Sequence, residues 1–228
     1  MEYCFLKILL LLIMKTIFIA FTFLIISCSF QSNTNAFTKE EIEYFSEIGL
    51  GAEFGDEVPV IKRWTDDIRI KISGEPTEED IQTINNIVND LNELIVGIKI
   101  KLVNNNENLV IAFSPESEFS AIDPNYVPTN YGFFWALWHD DNFVIYDASI
   151  LISSADITQQ ERSHLIREEL TQSLGLMNDS NKYKDSIFYH EWTNVIEFSE
   201  IDRAVIKLLY LNKIKPGMSK EQVLKVLN

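Results

Sequence analysis

The segment from Thr158 to Gly175 reads as a single helix whose two ends are both written into the sequence. Thr158 and Glu161 stand at the spacing at which each side chain satisfies the other's backbone N–H. Leu165, Ile166, Leu170 and Leu174 recur at helical spacing and supply an apolar face, and Gly175 is a natural C-terminal stop. On the same helix Glu168 and Gln172 lie four residues apart and face one way, with Glu169 in an adjacent direction. His164 extends that stripe by one more turn. A fold that contains this helix must bury its apolar face and give the polar stripe a setting.

The rest of the chain alternates between the two periodicities. Thr38-Lys39-Glu40-Glu41 opens a short helix to about Ile48, ended by the glycines between Gly49 and Gly55. Ile68–Ile72 alternates apolar and charged residues as a half-exposed strand does. Thr77 and Asp80 then cap a helix with Ile81, Ile84, Ile87, Val88, Leu91 and Leu94/Ile95 on one face. Ile98–Val103 and Leu109–Phe113 read as strands, and Tyr131–Trp138 leads through His139-Asp140-Asp141-Asn142 into Phe143–Tyr146 as a long hairpin. That hairpin is either ordinary core packing or an edge strand over a cleft, open to an extended peptide. Ser199 and Asp202 cap a helix with Ile201, Val205, Leu208 and Leu209 on its core face, and Ser219 starts a last helix through Leu227.

The frame Glu168-Glu169-x-x-Gln172-x-x-Gly175-x-x-Asn178 coincides position by position with the His-Glu-x-x-His motif of zinc proteases and its Gly and third-His extension. In that motif the histidines hold zinc and the intervening Glu is the general base. The chain resembles the bacterial DUF2927 family, regarded as zincin-like. The likeness rests on Gly49-Leu50-Gly51-Ala52-Glu53-Phe54-Gly55, Ile61-Lys62-Arg63-Trp64, the Glu168–Ser180 segment and Ser186-Ile187-Phe188. It continues in Asp202, Leu208-Leu209-Tyr210 and Lys215-Pro216-Gly217-Met218, and so runs from about Thr38 to the C-terminus. The resemblance implies an α+β fold: a zincin-like twisted sheet, an active-site-type helix and a C-terminal helical part.

All three zinc-ligand positions are substituted, by Glu168, Gln172 and Asn178, and only the base position, Glu169, keeps its usual residue. Carboxylate and amide oxygens suit Ca²⁺, Mg²⁺ or Mn²⁺ better than zinc, and a neutral amide is a poor zinc ligand. Three readings follow: a structural site without metal, a weak or non-zinc divalent site (Glu168, Gln172 and Asn178, or His164 with Glu168 and Gln172), and a hydrolase using Glu169. His139 and His190 stand alone in turn-like contexts and read as surface histidines. The sequence contains no Gly-x-Ser-x-Gly elbow or phosphate loop.

At the N-terminus, Phe5–Ile13 and Ile17–Ile26 are apolar runs separated by Lys15, and the second ends in Ile25-Ile26-Ser27-Cys28. A basic residue, an apolar stretch and a small residue before Cys read as a lipoprotein signal. The expectation is a signal peptide over 1–27, lipid on Cys28, a polar tether over 28–37 and one domain over 38–228. The mature protein is then exported and held on a membrane of the bacterial cell envelope by its lipid. One uncleaved membrane helix over 5–27 is the alternative, burdened by Lys7 and Lys15. Translation from Met14 would also give a normal signal.

The chain carries 19 basic and 34 acidic residues. Loss of Lys7, Lys15 and Glu2 with the signal leaves 17 and 33, a net charge of −16. Such a charge repels nucleic acid and anionic headgroups and excludes both as partners by electrostatics, leaving a protein or peptide partner. Cys4 and Cys28 are the only cysteines, so no disulfide holds the mature domain.

Overall fold

The computed structural model describes residues 37–51 and 58–227. The expected signal, Cys28 and most of the tether lie outside the described residues. Among the described residues no helix is long and apolar enough to cross a membrane.

Three helices begin at the positions the sequence predicts, each at a capping box. They are α1 (Lys39–Leu50) at Thr38/Glu41, α2 (Glu78–Leu94) at Thr77/Asp80 and α4 (Gln159–Gln172) at Thr158/Glu161. A fourth, α5 (Glu200–Leu209), starts at Ser199/Asp202 in the same way. The last helix is α6 (Lys220–Leu227), and a short α3 (Phe119–Ile122) follows a 3₁₀ turn over Glu116–Glu118.

The strands are β1 (Arg63–Trp64), β2 (Ile68–Gly74), β3 (Ile100–Leu102), β4 (Leu109–Ser114), β5 (Gly132–Trp138) and β6 (Val144–Ser153). They form one sheet in which β3, β2, β4 and β6 are neighbours in that order and parallel. β1 adds two residues beside the start of β6, and β5 alone runs antiparallel, forming the expected hairpin with β6.

Helices α2 and α4 pack together, and α4 lies across β5 and β6. Phe134, Ala136, Ile150 and Ile152 meet Leu165, Ile166 and Leu170 in the main core. The opposite face of β5 and β6 is closed by Phe119 and Tyr126 against Phe133 and Leu151. In α2, Ile84, Ile87, Val88, Leu91 and Leu94 are buried as predicted, whereas Ile81 sits at the exposed first turn. In α6 only Val223 is fully buried.

Residues of the family-like segments meet in a structural knot around β1. The Arg63 guanidinium lies over the Tyr210 ring, its centre 4.5 Å away, and Nη1 donates to the Leu209 carbonyl at the open end of α5 and to the Ile214 carbonyl in the loop that follows. The Leu209 carbonyl is one that a helix leaves without an intrahelical partner. Trp64 Nε1 donates to Ser173 O, and Ile61 exchanges backbone hydrogen bonds with Gly217 and Met218. Asp202, fully buried, accepts from Ser186 Oγ at 2.5 Å and from Ser199 N, and Ser186 in turn meets the Tyr44 hydroxyl. These motif residues therefore hold α1, β1, α4 and α5 together.

Candidate functional site

The stripe on α4 opens into a cleft of roughly 430 Å³. Helix α4 supplies one wall, residues Thr129–Phe134 leading into β5 a second, and the Tyr189–Trp192 loop a third. The helix ends at Gln172, and a turn carries the chain through Ser173 to Gly175. The expected helical stop at Gly175 thus falls three residues later than the end of α4. Gly175 has φ +117°, and a Cβ there would lie 2.0 Å from Lys62 O. The turn therefore fits against β1 only with glycine.

His164, Glu168, Glu169 and Gln172 all line the cleft. His164 Nδ1 lies 2.6 Å from Val195 O, and its Nε2 lies 3.2 Å from Glu168 Oε2. Both ring nitrogens thus face acceptors, an arrangement that suits imidazolium. Burial opposes that charge, but the hydrogen bond and negative charge of Glu168, with the Val195 carbonyl, hold the pKa above the ordinary histidine value. The protonated ring's contribution to stability is complete below about pH 6.5 and is lost as pH rises through the higher folded value. In an NMR titration, His164 is expected to show a midpoint above 6.5, falling in Glu168→Gln; an unperturbed midpoint in both would refute the pairing.

Glu169 is 7% exposed and presses on β5: a Cβ on Gly132 would meet its Oε1 at 2.6 Å. Gly132 thereby lets α4 approach the strand closely enough to bring Glu169 under it. Gln172 Nε2 donates to Asp179 Oδ1 at 2.8 Å, and Asp179 Oδ2 lies 3.8 Å from His190 Nδ1.

Asn178 does not join this group. Its Nδ2 donates to Glu47 O and its backbone N–H to Ile48 O at the end of α1, against Gly51, where a Cβ would strike its side chain. The cause is the turn after Gln172, which redirects the chain before the third position of the frame. Asp179 occupies the cleft in its place.

Asp179 and His190 are cleft residues that sequence reasoning passes over. His190 comes from a loop folded back on residue 180: Ser180 N–H donates to Phe188 O and His190 N–H to Ser180 O. Spacing along the chain carries no sign of this return. His139 lies apart from the cleft, stacked on Tyr146 with ring centres 4.5 Å apart.

The donor set does not fit a catalytic zinc. Zinc needs neutral imidazoles or anionic ligands converging on one point. Here the single helix imidazole faces acceptors at both nitrogens, and the two amides are engaged with Asp179 and Glu47. Among the described residues, no group of three or more His, Cys, Asp or Glu is placed to hold a metal ion.

A mostly parallel sheet with a motif helix beneath its antiparallel edge strand defines an α+β domain. The chain belongs to the family described as protein of unknown function (DUF2927), whose model matches residues 38–228. It is similar to two solved structures of myroilysin. One is 11% identical, covers 66% of this chain and 83% of that chain, and has a TM-score of 0.42. The other is 10% identical, covers 77% and 96%, and has a TM-score of 0.43. Among curated proteins, no sequence matches the chain.

Proposed function

We propose that this protein is exported, anchored in the bacterial cell envelope by a lipid on Cys28, and uses its cleft to bind an extended segment of a partner without metal-dependent hydrolysis. The observation that carries the reading is the open edge of β5 beside the cleft. Ser153 N–H donates to Tyr131 O, and the ladder continues with Phe133 opposite Leu151 and Trp135 opposite Ser149. In an antiparallel pair this sets alternate residues toward β6 and turns the N–H and C=O of Gly132, Phe134 and Ala136 outward. Among the described residues no strand pairs with that edge. An unpaired strand beside a concave surface is a template for an added strand.

Two tests bear on this reading. Unstructured peptides displayed against the protein should be captured, and captured peptides should lose binding when alternate backbone nitrogens are methylated; indifference to methylation would refute strand addition. EDTA should leave the melting temperature unchanged, with no stoichiometric metal by elemental analysis. A metal-dependent melting shift, with hydrolysis abolished in Glu169→Gln, would instead establish a metal-dependent hydrolase using Glu169 as general base. Anchoring is tested by Cys28→Ser, which should release the chain from membranes.

A further inference from the structure

The cleft has a charge pattern of its own. Asp156, Glu161, Glu168, Glu169, Asp179 and Glu191 line it, and among the described residues no Lys or Arg does. Even with His164 and His190 both protonated, carboxylates outnumber cations. The Glu168 and Asp179 side chains are 15% and 12% exposed, so water shields them poorly and their field inside the cleft is stronger than at an open surface.

At the rim stands an aromatic platform. Trp192 is 56% exposed, edge-on to Tyr131 with ring centres 6.2 Å apart, and its indole N–H points to Glu161 Oε1 at 3.3 Å. A pinned indole beside carboxylates suits a cation that stacks on its face, and a guanidinium does so while keeping donors for the acids. The third element is the β5 edge, because a strand added there points alternate side chains toward α4 and into the cleft.

We infer that the cleft selects a lysine or arginine side chain of the bound segment, stacked by Trp192 at the rim and paired with Glu168 and Asp179 at the floor. This selection rests on the strand-addition reading above and specifies the partner's chemistry: an extended segment with a basic residue facing the cleft. It also makes use of the acidic charge of the chain, which attracts such a segment from a distance.

The test uses the full chain in detergent and fluorescent Thr/Ala peptides that differ only at one central residue: Arg, citrulline, norleucine or Glu. Arg should bind about tenfold tighter than citrulline, the scale of a charge-assisted hydrogen bond, and Glu should bind weakest. The gap between Arg and citrulline should close in the Glu168→Gln/Asp179→Asn variant and narrow in Trp192→Ala. It should stay unchanged in Glu93→Gln, an exposed acid at the far end of α2. In the unaltered protein the gap should shrink with added salt, a readout that needs no variant to fold. If Arg and citrulline peptides bind equally, or the gap ignores salt, the selection of a basic side chain is wrong and strand addition stands. If no peptide in the set binds, strand addition itself fails and takes this inference with it.

Discussion

Asp80→Ala is expected to destabilise the fold by about 4 kcal/mol, the range for breaking one side of a buried ion pair. Asp80 is fully buried, and three partners converge on it: Arg162 Nη1 at 3.3 Å, Gln159 Nε2 at 2.6 Å and the Thr77 backbone N–H at 2.8 Å. One carboxylate thus caps α2 and fastens it to the first turn of α4. Removing it leaves the buried Arg162 with Ser154 O as its remaining acceptor and strips a cap worth about 1 kcal/mol. Urea unfolding measures the loss. Asp80→Ala/Arg162→Met should recover part of it, since an apolar side chain in that place needs no counter-charge. A loss below about 1 kcal/mol would mean that the pair is far better hydrated than its burial indicates.

Gly175→Ala should cost a similar amount, about 4 kcal/mol, for a different reason. A φ of +117° lies outside the left-handed region that Asn tolerates and adds about 1–3 kcal/mol of backbone strain for any side chain. The methyl must also displace the Lys62 carbonyl, 2.0 Å away, at a further cost of about 1–3 kcal/mol for overpacking. Gly97 separates the two contributions. It too has a positive φ, +92°, but a Cβ there meets nothing within 4 Å. Gly97→Ala should therefore show the strain alone. Equal losses at the two positions in thermal or urea melts would show that contact with β1 contributes nothing.

Features of the fold encoded within one helical turn were legible in the sequence. Thr38/Glu41, Thr77/Asp80, Thr158/Glu161 and Ser199/Asp202 each satisfy backbone groups three residues away, so each can be read without its tertiary setting. Gln172 and Glu168 share a helix face for the same reason. What depends on distant chain was hidden. Arg63 finds Leu209 across 146 residues, and Trp64 finds Ser173 across 109, so β1 carries no local signature. The parallel order of β3, β2, β4 and β6 follows from crossovers that periodicity does not reveal. The ligand frame misled at Asn178 because that position lies beyond the helix, where its direction is set by distant packing, here against Glu47 and Ile48 of α1.

The knot around Arg63 also sets an order of events. Residues 61–64 pair with 144–145 and 173 and, through Ile61 and Arg63, with 209, 214, 217 and 218 much later in the chain. A chain emerging N-terminus first from a ribosome can pair β1 with β6 once residue 145 is out, but it cannot complete the contacts of Ile61 and Arg63 until residues 209–218 follow. The open end of α5 would lack its guanidinium partner until then. The last contacts to form thus reach back to one of the first segments, and a truncation ending before Leu209 should open the middle of the molecule, not just its tail.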